Sequence, residues 1–138
     1  MPQNLKFRLL PGPYAIVRLA ADAMVPEWAT KGDLTSVTRT SDELSLVCLA
    51  DAVPKGIDPG PRWICFKLEG PFSFSQTGIL LSFIKPLSNS GVPIFAISTY
   101  DTDYVLVQEE FAGAAFNALQ AAGHELWPRD ESWRKFIE

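Results

Sequence analysis

Only one histidine, two cysteines and no basic cluster are present in this chain of 138 residues. With His124 alone, most histidine-based acid–base catalysis and most zinc sites lose their usual ligand. Cys48 and Cys65 each sit in an apolar run, with neither metal-ligand spacing nor a Cys-x-x-Cys pattern, and read as buried, inert thiols. Lysine and arginine together number 12 against 16 acidic residues, a net charge of −4. Lys31, Lys55, Lys67 and Lys85 are scattered, whereas phosphate contacts need concentrated cations, so no nucleic-acid partner is expected. Met1–Leu10 has no apolar stretch long enough for a signal peptide or a membrane span, so the expected location is cytoplasmic, with no membrane partner. No nucleophile stands beside a base. Glu69 and Asp103 have no fixed spacing as an acid–base pair, and Asp101 and Asp103 have no nucleotide-binding unit behind them that would suit a metal–nucleotide site. The expectation is therefore a protein that is not an enzyme, with no catalytic residues, no metal and no cofactor.

What is present is the composition of a globular protein, 47% hydrophobic and 20% charged. After the turn Pro59-Gly60-Pro61, Arg62–Glu69 alternates as a strand, with Ile64, Phe66 and Leu68 on its buried face. Ile79, Phe83 and Leu87 recur at helical spacing, predicting an amphipathic helix from about Ser75 or Gln76. Pro86 should kink its last turn or end it, and Ser88-Asn89-Ser90-Gly91 is a stop signal. Val92–Ser98 and Tyr104–Val107 read as two strands joined by a tight polar turn. A second helix opens at Glu109-Glu110, with Phe111, Ala115, Leu119 and Ala122 inward and Gly123 as its C-terminal cap. His124–Trp127 suits a last short strand, and Trp133 and Phe136 suggest that the tail docks. This β-α-β-β-α-β order is that of a ferredoxin-like α/β (α+β sandwich) fold, helices on one face of an antiparallel sheet.

The first half reads as a reduced copy. Tyr14–Leu19 parallels Trp63–Leu68, and Val37–Val47 runs without a gap against Ile97–Val107. Ala21–Thr30 leaves room for only a short helix, around Val25–Ala29. The division is therefore residues 1–60, a degenerate β-α-β-β unit, and 61–138, a full one. In this alignment Glu43 stands opposite Asp103 and Ser41 opposite Asp101, which favours Asp103 as the ligand-facing acid and leaves Asp101 as a turn former.

Two segments of the second half should meet. The loop Ser73–Gly78 leads into a helix N-terminus, whose N–H groups favour an anion, and Gly78 admits close approach to the backbone. The hairpin Ser98-Thr99-Tyr100-Asp101-Thr102-Asp103 offers carboxylates for an ammonium or guanidinium group. An anion site beside a cation site suits a zwitterion, such as an amino acid.

The runs Phe74–Leu80, Pro86-Leu87 and Val92–Val107 resemble the ACT domain, and more narrowly the branch of the CASTOR-type arginine sensors and their bacterial relatives. The resemblance is strongest over Arg62–Trp127, and the first half is similar to the degenerate ACT-like repeat of that branch. It implies a regulatory module that binds an amino acid at an interface between ACT units. Ser73, Gln76, Thr77, Gly78 and Ile79 would hold the ligand's backbone groups, and Thr99, Tyr100 and Asp103 would contact it from the hairpin. It also implies a homodimer, which restores the number of ACT units in the animal sensors, and a regulated protein partner of unknown identity. Gln76 stands where an acid could pair with arginine, so the resemblance names an amino acid and not arginine. The alternative is a structural or protein-interaction module whose ligand site is vestigial.

Overall fold

The computed structural model describes residues 4–70, 72 and 77–127. In chain order its elements are β1 (Lys6–Leu9), β2 (Tyr14–Leu19), a 3-10 turn (Glu27–Thr30), β3 (Ser36–Arg39), β4 (Leu44–Leu49), a second 3-10 turn (Ala50–Ala52), β5 (Trp63–Leu68), α1 (Ile79–Asn89), β6 (Phe95–Ser98), β7 (Asp103–Gln108), a third 3-10 turn (Glu109–Phe111), α2 (Ala112–Ala121) and β8 (Glu125–Leu126). The class is mixed α/β, as the sequence predicts. The chain forms two compact units, one of Pro11–Ile64 and one made of the segment ending at Leu10 together with the chain from Cys65 onward.

In the N-terminal unit the sheet order is β3-β4-β2, all antiparallel. The short helix expected in its connector is a single 3-10 turn, two residues further along. Its core is correspondingly small: Ala15, Val17, Ala29, Leu44 and Leu46, flanked by Leu19, Trp28, Val53 and Ile57. Buried Tyr14 receives the Leu34 N–H on its hydroxyl at 3.3 Å. Arg39 donates its guanidinium to the carbonyls of Ala21 and Ala23, so a side chain holds the connector where the second copy uses a full helix.

In the C-terminal unit the order is β8-β1-β5-β7-β6. The β-α-β-β-α-β pattern is present, but the N-terminal strand β1, which the sequence does not announce, stands between its first and last strands. β1 is antiparallel to β5, with Phe7 opposite Leu68, and parallel to β8, with Lys6 opposite Glu125. The division at residue 60 assigns this strand to the first half, yet it packs with the second. The reason lies in Phe7, 2% exposed, whose ring meets Phe66 of β5 and Phe83 of α1 at 5.3 Å each, both edge-on. Phe116 of α2 closes on Phe66 at 5.2 Å. This four-ring cluster seats both helices on one sheet face. Each edge-on pair adds about 0.5–1.5 kcal/mol beyond its buried area.

Helix α1 begins at Ile79 behind Gly78, its N-cap residue, which takes the left-handed conformation (φ 77°). Ser75, expected at the helix start, lies outside the described residues, as do Trp133 and Phe136 of the tail. Ile79, Phe83 and Leu87 are buried, as their spacing predicts. Pro86 neither ends nor breaks the helix, which runs on to Asn89. Proline has no N–H to give the carbonyl four residues earlier, that of Ser82. His124 Nε2 donates to that oxygen at 2.8 Å, while Nδ1 accepts the Leu5 N–H at 3.1 Å. The lone histidine is thus a buried joint between β1, α1 and the end of α2. Both helices close alike. Gly91 and Gly123 have positive φ, and the N–H groups of Val92 and His124 return to the carbonyls of Leu87 and Leu119.

Candidate functional site

A cleft of about 400 Å³ opens between the first turn of α1 and the β6–β7 hairpin. Gly78, Ile79, Leu80 and Leu81 form one wall, Ser98–Asp103 the other, and Phe72 also lines it. Of the residues singled out from the sequence, the structure brings together Gly78, Ile79, Thr99, Tyr100 and Asp103. Thr77 is exposed and stands one residue before the wall. Ser73 and Gln76 lie outside the described residues.

The hairpin wall is built by four-residue turn chemistry. The Thr99 N–H donates to the Thr102 carbonyl at 2.8 Å, and the Thr99 hydroxyl donates to the same oxygen at 3.0 Å. Thr102, 5% exposed, donates its hydroxyl to the Leu68 carbonyl at 2.7 Å, pinning the turn to the end of β5. The Phe72 N–H donates to the Asp101 carbonyl at 2.9 Å. Gly70 lies so close that a Cβ there would stand 2.9 Å from the same oxygen. These contacts fix the turn and leave Tyr100, 80% exposed, at its tip. The Ser98 hydroxyl donates to Asp103 Oδ1, which aims that carboxylate. Behind it, Tyr104 is held above the ordinary phenol pKa, first by burial, then by proximity to Cys65, Asp101 and Glu69. Its hydroxyl stays protonated at neutral pH.

The opposite wall has a different character. The first N–H groups of an α-helix have no partner within it, and here the N-cap residue is Gly78, which has no side chain to offer them. Among the described residues, a Cβ on Gly78 would meet nothing within 4 Å, and Gly78 lines the cleft. Ile79 is buried, whereas Leu81 is 60% exposed. The arrangement sets backbone donors and a partial positive charge facing a carboxylate, with apolar and aromatic surface between them.

Phe72, Leu80 and Leu81 line the cleft without a signal of their own in the sequence, and Ser98, Asp101 and Thr102 join it from the hairpin beside the three hairpin residues expected to touch a ligand. The signal for Ser98 and Thr102 was local: a hydroxyl opposite an acid across a hairpin, and a threonine at the last position of a four-residue turn.

The two hairpins also correct the alignment between the copies. In the first, Arg39 pairs with Leu44; in the second, Ser98 pairs with Asp103. Thr40-Ser41-Asp42-Glu43 therefore matches Thr99-Tyr100-Asp101-Thr102, one residue away from the ungapped alignment. The Thr40 N–H donates to the Glu43 carbonyl at 2.9 Å, as Thr99 does to Thr102. The 3-10 turns after β4 and β7 match at the same offset. The counterpart of Asp103 is thus Leu44, not Glu43, and the acid common to both turns is Asp42 with Asp101. Asp101 and Asp103 both line the cleft, and what distinguishes Asp103 is the Ser98 hydroxyl on its carboxylate, not the faded copy.

Among the described residues, no helix is long and apolar enough to cross a membrane. The model of the ACT domain matches residues 59–121, and a second family model, described as an N-terminal domain, matches residues 12–56. Among solved structures the chain is similar to protein Atu0741 from Agrobacterium tumefaciens, at 47% identity and a TM-score of 0.81, over 90% of this chain and 92% of that one. It also shares its fold with VC0802 from Vibrio cholerae, a protein of unknown function and possible transport protein. That match has 22% identity and a TM-score of 0.71, over 86% of this chain and 89% of the other. ACT domains are regulatory rather than catalytic modules, which points to a small-molecule regulatory role. Residues 59–121, most of the C-terminal unit, thus match the ACT domain family.

Proposed function

We propose that this protein is a cytoplasmic amino-acid sensor of the CASTOR-type branch and not an enzyme. It binds its ligand in the cleft between α1 and the β6–β7 hairpin, at an interface between ACT units of a homodimer, and acts on a protein partner. The observation that carries the reading is the juxtaposition of the α1 N-terminus, which opens on Gly78, with Asp103 across a cleft of about 400 Å³. A free amino acid presents a carboxylate to the first and an ammonium group to the second. Gly78 and Ile79, with Thr77, Ser73 and Gln76 before them, hold the backbone groups; Thr99, Tyr100 and Asp103 close on the ligand from the hairpin. The turn bonds of Thr99 and Thr102 support a wall already formed before the ligand arrives, which lowers the ordering cost of binding.

Thermal-shift screening of the twenty common amino acids tests the reading. A ligand of the folded state raises apparent stability by about 2.7 kcal/mol at a hundred times its dissociation constant. At least one amino acid should raise the melting temperature. No shift with any of them at millimolar concentration would refute the proposal.

A further inference from the structure

The strand β1 belongs to one unit by contact and to the other by connection. All its ladder partners lie in the C-terminal unit. The Leu10 N–H donates to the Cys65 carbonyl at 2.9 Å and the Glu69 N–H to the Lys6 carbonyl at 2.9 Å. On the other side, the N–H groups of Glu125 and Trp127 donate to the carbonyls of Leu5 and Phe7 at 2.8 and 2.7 Å. Arg8 pairs with Glu69 at 2.8 Å, and the Lys6 ammonium stands 5.0 Å from the centre of the Trp127 ring. Phe7 enters the aromatic cluster, and the Leu5 N–H ends on His124. Without β1, the unit has an open slot between β5 and β8 and an aromatic core without its central ring.

Covalently, however, β1 runs straight into the other unit. The two units divide between Leu10 and Pro11, and the chain crosses there through Pro11-Gly12-Pro13. Two prolines hold their φ near −65°, which leaves the crossing few conformations. A strand bound wholly to one unit and tethered to the other by a short, stiff hinge meets the condition for exchange between identical chains. Each contact named above is reproduced when the strand comes from a second copy. The exchanged form must in addition turn the chain away before Pro13, whose carbonyl accepts the Ala50 N–H, and before Tyr14, which pairs with Trp63, and it carries the concentration-dependent cost of association.

We propose that β1 of one copy inserts between β5 and β8 of another, forming a strand-exchanged homodimer. The occupant of the slot is residues 5–10 of a second copy of this chain. Because Phe7 must leave a buried cluster before β1 can move, the choice between closed and exchanged forms is made during folding, and high protein concentration favours exchange. The proposal draws on the homodimer of the proposed function only for the presence of a second copy.

The register supplies the test. Arg8 lies opposite Lys67 in a bonded antiparallel pair. Such pairs have Cα atoms about 5.5 Å apart, within the range that a disulfide spans. The variant Arg8→Cys/Lys67→Cys is refolded at micromolar and at millimolar concentration, oxidised, and mapped by non-reducing electrophoresis and peptide analysis. Exchange predicts interchain disulfides between positions 8 and 67 that increase with refolding concentration. A dimer carrying only intrachain disulfides overturns exchange and leaves the homodimer standing; a monomer at every concentration overturns both. A second experiment needs no substitution. Isotope-labelled and unlabelled wild-type chains are refolded together at millimolar concentration and treated with an amine cross-linker. Exchange predicts mixed-isotope cross-links between Lys6 and Lys67, and cross-links of single-isotope origin alone contradict it.

Discussion

The two hairpins are the same turn put to different use. Thr40 and Thr99 open them, each donating its N–H across to the fourth turn residue. In each, the carbonyl of the third residue is capped from outside: Asp42 by the Arg18 guanidinium at 2.8 Å, and Asp101 by the Phe72 N–H at 2.9 Å. The differences fall on the flanking pair. The first hairpin has Arg39 opposite Leu44, the arginine spent on the connector and the leucine fully buried. The second has Ser98 opposite Asp103, a hydroxyl that orients a carboxylate at the edge of an open cleft. The first unit closes over its hairpin with side chains because it has no helix there; the second has a helix whose first turn lines a cleft with the hairpin. A cleft requires both the helix and the changed pair.

Reciprocal exchange of these positions gives the largest expected effect. Leu44→Asp places a carboxylate in a core with no partner for it and removes packing, so urea denaturation should show a loss of about 5 kcal/mol. Asp103→Leu should change stability by less than about 1 kcal/mol, since the site is half-buried and not core. It should nevertheless abolish any amino-acid-induced thermal shift. Next in size is the last turn position. Thr102→Val leaves the buried Leu68 carbonyl without its hydroxyl donor and should cost about 1–3 kcal/mol. Glu43→Ala at the matching position should stay within about 0.5 kcal/mol. Arg39→Ala, which frees the Ala21–Ala23 connector, should cost about 1 kcal/mol by the same denaturation measurement. The smallest expected effect is none at all. Burial pushes the thiols of Cys48 and Cys65 up from their ordinary pKa, far up for Cys65. A thiol-specific chromogenic reagent at pH 8 should therefore label neither in the native protein and both after denaturation.

Much of the C-terminal unit was legible because its signals are local and mutually consistent. The helical spacing of Ile79, Phe83 and Leu87, the glycines Gly91 and Gly123 after the two helices, and the polar turn between two apolar runs each name one structure. Strand β1 was not legible. Four residues beside a Pro-Gly-Pro turn carry no decisive period, and the position of Phe7 depends on aromatic partners far away in the chain. The continuity of α1 through Pro86 was hidden for a related reason, since the donor that replaces the missing N–H is His124, thirty-eight positions on. The hairpin is legible in the sequence, but its structural alignment with the earlier copy lies one residue from the ungapped one. Sequence similarity between Leu46-Val47 and Leu106-Val107 outweighed the turn threonines, and only the cross-strand pairs Arg39 with Leu44 and Ser98 with Asp103 separate the two registers. The cleft was legible as two segments that should meet, whereas Ser98 and Thr102, which shape it, act through contacts that composition does not display.

The central claim is that the second hairpin and the α1 N-terminus form a ligand site while the first hairpin does not. Amide chemical-shift mapping tests it directly, by titrating the isotope-labelled full chain with the amino acid that gives the strongest thermal shift. The account predicts saturable shifts at Gly78–Leu81 and Thr99–Asp103, with Thr40–Leu44 unmoved. Shifts centred on Thr40–Leu44, or saturable binding that leaves Gly78–Leu81 and Thr99–Asp103 unchanged, would contradict it.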